Sequence, residues 1–153
     1  MSRMKGPPTS KQTYRLPEFL AGRITREKYI SWLQRKAQAH VKRDRLRLKR
    51  KITLADYKMS IHLAVESSNG KDWYTGEELA WEKISTYDNA DSKSHRAQYK
   101  TGFSLLPTVD HVMTDRGDYD FVICSWRMND AKSDLSLADF LTLCRKVISL
   151  HGQ

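Results

Sequence analysis

The chain has only two cysteines, Cys124 and Cys144, both in apolar surroundings. Two are too few for a disulfide framework or a thiolate cage, so they read as buried thiols. No run approaches the ~20 apolar residues of a membrane span, and the first residues lack the apolar core of a signal peptide. The expectation is a cytoplasmic protein with no membrane partner. Internal repeats are absent too. What is left is an ordinary composition, 39% hydrophobic over 153 residues, enough for one domain with a real core and an appended arm.

Acidic residues are almost missing from the front of the chain. Residues 1–52 hold 16 Lys and Arg against 3 Asp and Glu, a net of +13, so the remainder carries −4 of the +9 total. A basic front joined to a mildly acidic back suits a polyanion held at one end and processed at the other.

Three stretches follow from pattern. Residues 1–24, with Gly6, Pro7 and Pro8, read as a flexible basic arm whose Phe19 and Leu20 pack on the domain. Residues 25–69 read as a helical, basic, DNA-binding region. Thr25 is a plausible N-cap with Glu27 in the first turn, and Ile30, Leu33, Ala37 and Val41 recur at helical spacing beside Tyr29 and Trp32. Arg35 and Lys36 precede a run holding Lys42, Arg43, Arg45, Arg47, Lys49, Arg50 and Lys51, with Asp44 its only acid. One acid cannot relieve that repulsion through spaced ion pairs, whereas phosphates can, with release of condensed counterions. The expected partner is DNA, double-stranded and held through its backbone, and a homodimer is left open. Thr53 caps a second helix through Leu54, Tyr57, Ile61, Ala64 and Val65 that stops near Gly70, with His62 structural or exposed.

Residues 70–153 carry the chemistry. Leu79, Trp81 and Ile84 are expected to cover one side of a site, and residues 85–102 to form a polar loop. Strands are predicted at 108–112 and 121–125 around a turn with Gly117, then a short helix with Asn129 and Lys132. Ser136 and Asp139 open a last helix whose Leu137, Phe140, Leu141, Cys144, Val147 and Ile148 read as core. Asp110 and His111 end the first strand. His111 has a side chain that titrates near neutrality and is the natural base for activating water. Asp110 and Asn129 are hard oxygen ligands suited to Mg²⁺ or Mn²⁺, with open positions for water and phosphate.

The arrangement Asp110-His111, then Asp120 before Phe121-Val122-Ile123-Cys124, then Asn129 with Lys132 resembles the HNH, or ββα-metal (His-Me finger), nuclease family. The stretch Asn129-Asp130-Ala131-Lys132-Ser133-Asp134 is especially similar to the metal-binding helix of the HNH domain in RNA-guided DNA-cleaving effectors. The resemblance covers about residues 70–150. It implies an α+β fold with a ββα-metal core behind the basic and amphipathic helices, and hydrolysis of DNA phosphodiesters. It also implies roles: His111 activates water, Asp110 and Asn129 hold the metal, Asp120 orients the base or loop, and Lys132 and Arg127 neutralise phosphate. Asp120 stands where the family has Asn, and a carboxylate there would also raise the histidine's pKa. Many relatives carry a structural zinc between paired C-x-x-C knuckles. Here the matching positions are Asp72, Thr75, Ser125 and Met128, so no structural zinc is expected and apolar packing should replace it. Two other readings stand beside the nuclease: a non-catalytic nucleic-acid-binding module on the same scaffold, and an enzyme of this type acting on RNA.

Overall fold

The computed structural model describes residues 14–48, 51–86, 101–113 and 119–153. Among these the protein is α+β, with four helices and one two-stranded antiparallel sheet. The polar loop expected over residues 85–102 and the turn at Gly117 lie mostly outside the described residues, as do Lys49 and Arg50.

From Tyr14 onward the expected arm is folded. Tyr14, Leu16 and Phe19 pack against the core, and Leu20, in a 3-10 turn at Glu18–Leu20, is fully buried. These apolar contacts offset the entropy of ordering that stretch, which composition alone had marked as loose.

Helix α1 is Arg26–Leu48, and Thr25 caps it by accepting from the Lys28 N–H at 3.3 Å. Its buried face holds Tyr29, Trp32, Leu33, Ala37 and Val41, so the two aromatics belong to the core itself. Arg45 donates twice to the Ile52 carbonyl, at 2.9 and 2.7 Å, and so secures the turn into α2, Leu54–Ser68. Thr53 caps α2 by accepting from the Asp56 N–H at 3.1 Å. The helix ends on Asn69 at φ 49° and Gly70 at φ 83°. A Cβ on Gly70 would come within 3.2 Å of the Phe19 ring, so glycine is needed there for space as well as for backbone conformation. His62 is buried and bonded to the Tyr29 hydroxyl at 2.6 Å.

Both helices share one core with Leu79, Trp81, Ile84, Val109 and Ile123. Leu79, Trp81 and Ile84 therefore line the core and do not cover the site. Trp81 is turned inward by its bond to the Gly70 carbonyl at 3.2 Å and by an edge contact with Trp32 at 5.3 Å.

Strands β1, Pro107–Met113, and β2, Tyr119–Ser125, pair antiparallel, with Asp110 opposite Val122 and His111 opposite Phe121. Helix α3, Trp126–Lys132, follows at once and is capped by Ser125, which accepts from the Met128 N–H at 3.1 Å. Asn129 thus sits within the helix and not at its start. The local order is β, β, α.

Helix α4, Leu137–His151, begins where expected, with Ser136 accepting from the Asp139 N–H at 3.1 Å. Its stripe is not core. None of its residues is buried, and Leu141, Val147 and Ile148 are 41%, 53% and 64% exposed. Helical spacing marks a face that gains from burial without saying what covers it.

Candidate active site

Alternation along β1 puts His111 on the core-facing side with Val109 and sends Asp110 to the other. Both nonetheless border one open cavity of about 1150 Å³, together with Asp120, Asn129 and Lys132. His40, Arg43, Asp44 and Arg47 of α1 line the same cavity. The sequence-predicted Asp110, His111 and Asn129 thus line one cavity, and the basic helix lines it too.

Asp110 is held from three sides. Its Oδ2 accepts from the Tyr74 hydroxyl at 2.6 Å and lies 3.2 Å from the Lys132 ammonium, while Oδ1 accepts from the His111 N–H at 2.8 Å. Lys132 is itself buried and donates to the Leu135 carbonyl at 2.7 Å. Burial, and then the bond to Asp110, push the Tyr74 phenol well above its usual range, so it stays a donor.

His111 packs against Phe121, with ring centroids 4.8 Å apart, and meets His40 edge-on at 4.9 Å. Its Nε2 lies 3.1 Å from Asp44 Oδ2, and Arg43 Nη2, itself 2.9 Å from His40 Nδ1, contacts both His111 ring nitrogens, Nδ1 closely and Nε2 at 3.1 Å. Burial, and then the Arg43 charge, lower the His111 pKa. The rise expected from a carboxylate at Asp120 is not what this environment produces, because Asp120 is exposed on the cavity wall and the carboxylate that touches the ring is Asp44. His40, buried beside Arg43 and His111, is pushed down to about 3 and stays neutral.

The candidate phosphate contacts divide. Arg43, Arg47 and Lys132 line the cavity. Lys42 and Lys51 are exposed elsewhere. Arg45 is engaged by Ile52, Arg35 donates to the Ile84 carbonyl at 3.4 Å, and Lys36 donates to Thr108 at 3.0 Å. Burial and then Arg35 lower the Lys36 pKa to about 8. Arg127 forms an ion pair with Glu77 at 2.9 Å and does not line the cavity. Periodicity identified the basic helix but not which of its cations turn toward the hairpin.

Tyr74, Asp44 and His40 are the site residues that sequence reasoning missed. Tyr74 stood within the knuckle-like turn, and Asp44 was noticed only as the odd acid in a basic run. That oddity was the available signal.

The knuckle positions are joined by hydrogen bonds, which corrects the expected apolar packing. Asp72 is 2% exposed, and its Oδ1 accepts from the Tyr74 and Thr75 N–H groups at 2.8 and 3.3 Å. Its Oδ2 accepts from the Ser125 N–H at 2.8 Å, linking the first turn to the end of β2. A buried carboxylate requires such donors, and the backbone of both turns supplies them.

A hard cation fits the donor set at this site only with a largely solvent-made shell. Asp110 keeps lone-pair capacity on Oδ1, and Asn129 lines the same cavity. Among the described residues no group of three or more His, Cys, Asp or Glu gathers as a ligand cage.

In comparisons with known proteins, the chain matches no family model, no curated protein and no solved structure. The functional reading therefore rests on the residues.

Proposed function

We propose that this protein is a metal-dependent endonuclease of the HNH type that hydrolyses DNA phosphodiester bonds in the cavity between α1 and the β1–β2–α3 unit. The observation that carries the reading is the convergence of Asp110, His111 and Asn129 with the cationic Arg43, Arg47 and Lys132 on that one cavity. His111, kept neutral by its surroundings, takes the proton of the attacking water. Arg43 and Arg47 offset phosphate charge from the helix side, while Lys132, expected to do so too, is buried and committed to Asp110 and the Leu135 carbonyl. Asp110 and Asn129 would hold Mg²⁺ or Mn²⁺, which supplies Lewis-acid stabilisation of the phosphate and of the departing oxygen. Tyr74 and Lys132 keep the Asp110 carboxylate in place.

A second reading, a nucleic-acid-binding module without catalysis, is favoured by one observation. The Lys132 ammonium already neutralises Asp110 at 3.2 Å, so the carboxylate does not depend on a metal for its counter-charge. Incubating purified protein with plasmid, linear DNA and RNA, with and without Mg²⁺ or Mn²⁺, separates the readings. Metal-dependent DNA cleavage supports the nuclease, cleavage of RNA alone changes its substrate, and binding without cleavage supports the module.

A further inference from the structure

Asp44 is the only acid in the basic run of α1, and it is 5% exposed. A solvated helix face would leave such a residue at the surface. Here Oδ1 accepts from Arg43 Nε at 3.1 Å, and Oδ2 accepts from the Tyr57 hydroxyl of α2 at 2.7 Å while lying 3.1 Å from His111 Nε2. Burial pushes the Asp44 carboxyl up, but the bonds from Tyr57 and Arg43 and the adjoining positive charge outweigh it and lower its pKa overall.

Asp44 meets only Nε2 of the imidazole, whereas Arg43 Nη2 lies against both ring nitrogens, closer to Nδ1 than to Nε2 at 3.1 Å. An ionised carboxylate can only accept, so Nε2 must carry the proton. A neutral imidazole carries one proton, so with Nε2 protonated the lone pair is on Nδ1, the ring nitrogen that the donating Arg43 approaches more closely. The Nε2–H tautomer is the one that satisfies Asp44. The other would set the Nε2 lone pair against the Asp44 carboxylate at 3.1 Å.

We propose that Asp44 is the positioning residue of the site, holding His111 as its Nε2–H tautomer so that Nδ1 is the basic nitrogen. The basic helix then does two things: it meets phosphate with Arg43 and Arg47, and it completes the hydrolytic centre through Asp44. Arg43 covers Nδ1 in the free protein, and an arriving phosphate offers the guanidinium a competing partner that frees the nitrogen for water. This inference rests on the nuclease reading for its catalytic meaning, but its geometry can be read without any nuclease assay.

The experiment is proton–nitrogen correlation spectroscopy of the His111 ring in the full chain, at a pH where the imidazole is neutral. The expected result is a downfield, exchange-protected proton on Nε2 that moves upfield in Asp44→Asn. A proton found on Nδ1, or a resonance unmoved by Asp44→Asn, would overturn the proposal. On plasmid, Asp44→Asn should lower kcat by about 10–100-fold with little change in KM, the scale typical of groups that orient a site residue. In a His111→Ala background it should cost nothing further. An equal loss in both backgrounds would make Asp44 architectural and overturn the proposal. Should Asp44→Asn fail to fold, Tyr57→Phe removes one bond to the carboxylate and should give a smaller loss of the same kind, confined to kcat. The two failures are distinguishable. A missing Nε2 proton defeats the positioning claim whatever the nuclease assay reads. A protected proton in a chain that cleaves neither DNA nor RNA defeats the nuclease reading, and with it the catalytic use of the pair.

Discussion

Replacing Asp72 with alanine should destabilise the protein more than any surface change of similar size. The carboxylate is 2% exposed and accepts three backbone N–H bonds, from Tyr74, Thr75 and Ser125. Ser125 is itself buried, so its N–H would be left unpaired, at a cost of about 1–3 kcal/mol. The Tyr74 and Thr75 groups lie in a part-exposed turn where water can replace the acceptor, so they add less. Together the loss should be roughly 3–4 kcal/mol, which for a chain of this length lowers Tm by roughly 10 °C. Asp72→Asn keeps one carbonyl oxygen and should lose about half as much. Urea unfolding followed by circular dichroism measures both. The same change should loosen Tyr74, and with it the hydroxyl that holds Asp110. A loss for Asp72→Ala below about 1 kcal/mol, the ordinary range for surface substitutions, would refute the idea that this carboxylate ties the two turns together.

Neutralising Arg43 and Arg47 together should weaken DNA binding and reduce the salt dependence of affinity by up to ~0.9 log unit per lost contact, whereas Arg127→Gln should leave the slope unchanged. Titrations at several salt concentrations decide this, and an unchanged slope in the Arg43/Arg47 variant would mean that the cavity does not hold phosphate. Acid should destabilise the fold through His40. Its folded pKa is about 3, so between that value and the unfolded value of ~6.5 the unfolded chain binds a proton the folded one refuses. Stability is full above that window and falls as pH drops through it, at roughly 1.4 kcal/mol per unit, and His40→Gln should flatten the dependence. Equal slopes in the two proteins would contradict it.

Where the sequence was legible, local chemistry decided the structure. Thr25, Thr53 and Ser136 announced helix starts because a side-chain oxygen before an apolar-periodic stretch accepts an otherwise unpaired N–H, and each does so. The hairpin was legible from two short runs of strand-forming residues around a turn, whereas Asp110 and His111 border one cavity although strand alternation sends them to opposite faces of β1. What was not legible depended on contacts far apart in sequence. Asp44 meets His111 across 67 positions and Asp72 meets Ser125 across 53, and neither pairing leaves a local trace. Helix α4 shows the reverse case, a clear apolar period that nothing among the described residues buries.

The central claim is that His111 is the base of a hydrolytic site, and conversion of supercoiled plasmid by wild-type and His111→Ala protein in Mg²⁺ and Mn²⁺ tests it most directly. The account predicts nicking by the wild type and a rate lower by ~10²–10⁴-fold in His111→Ala, with DNA binding retained. Cleavage by His111→Ala at the wild-type rate would contradict it.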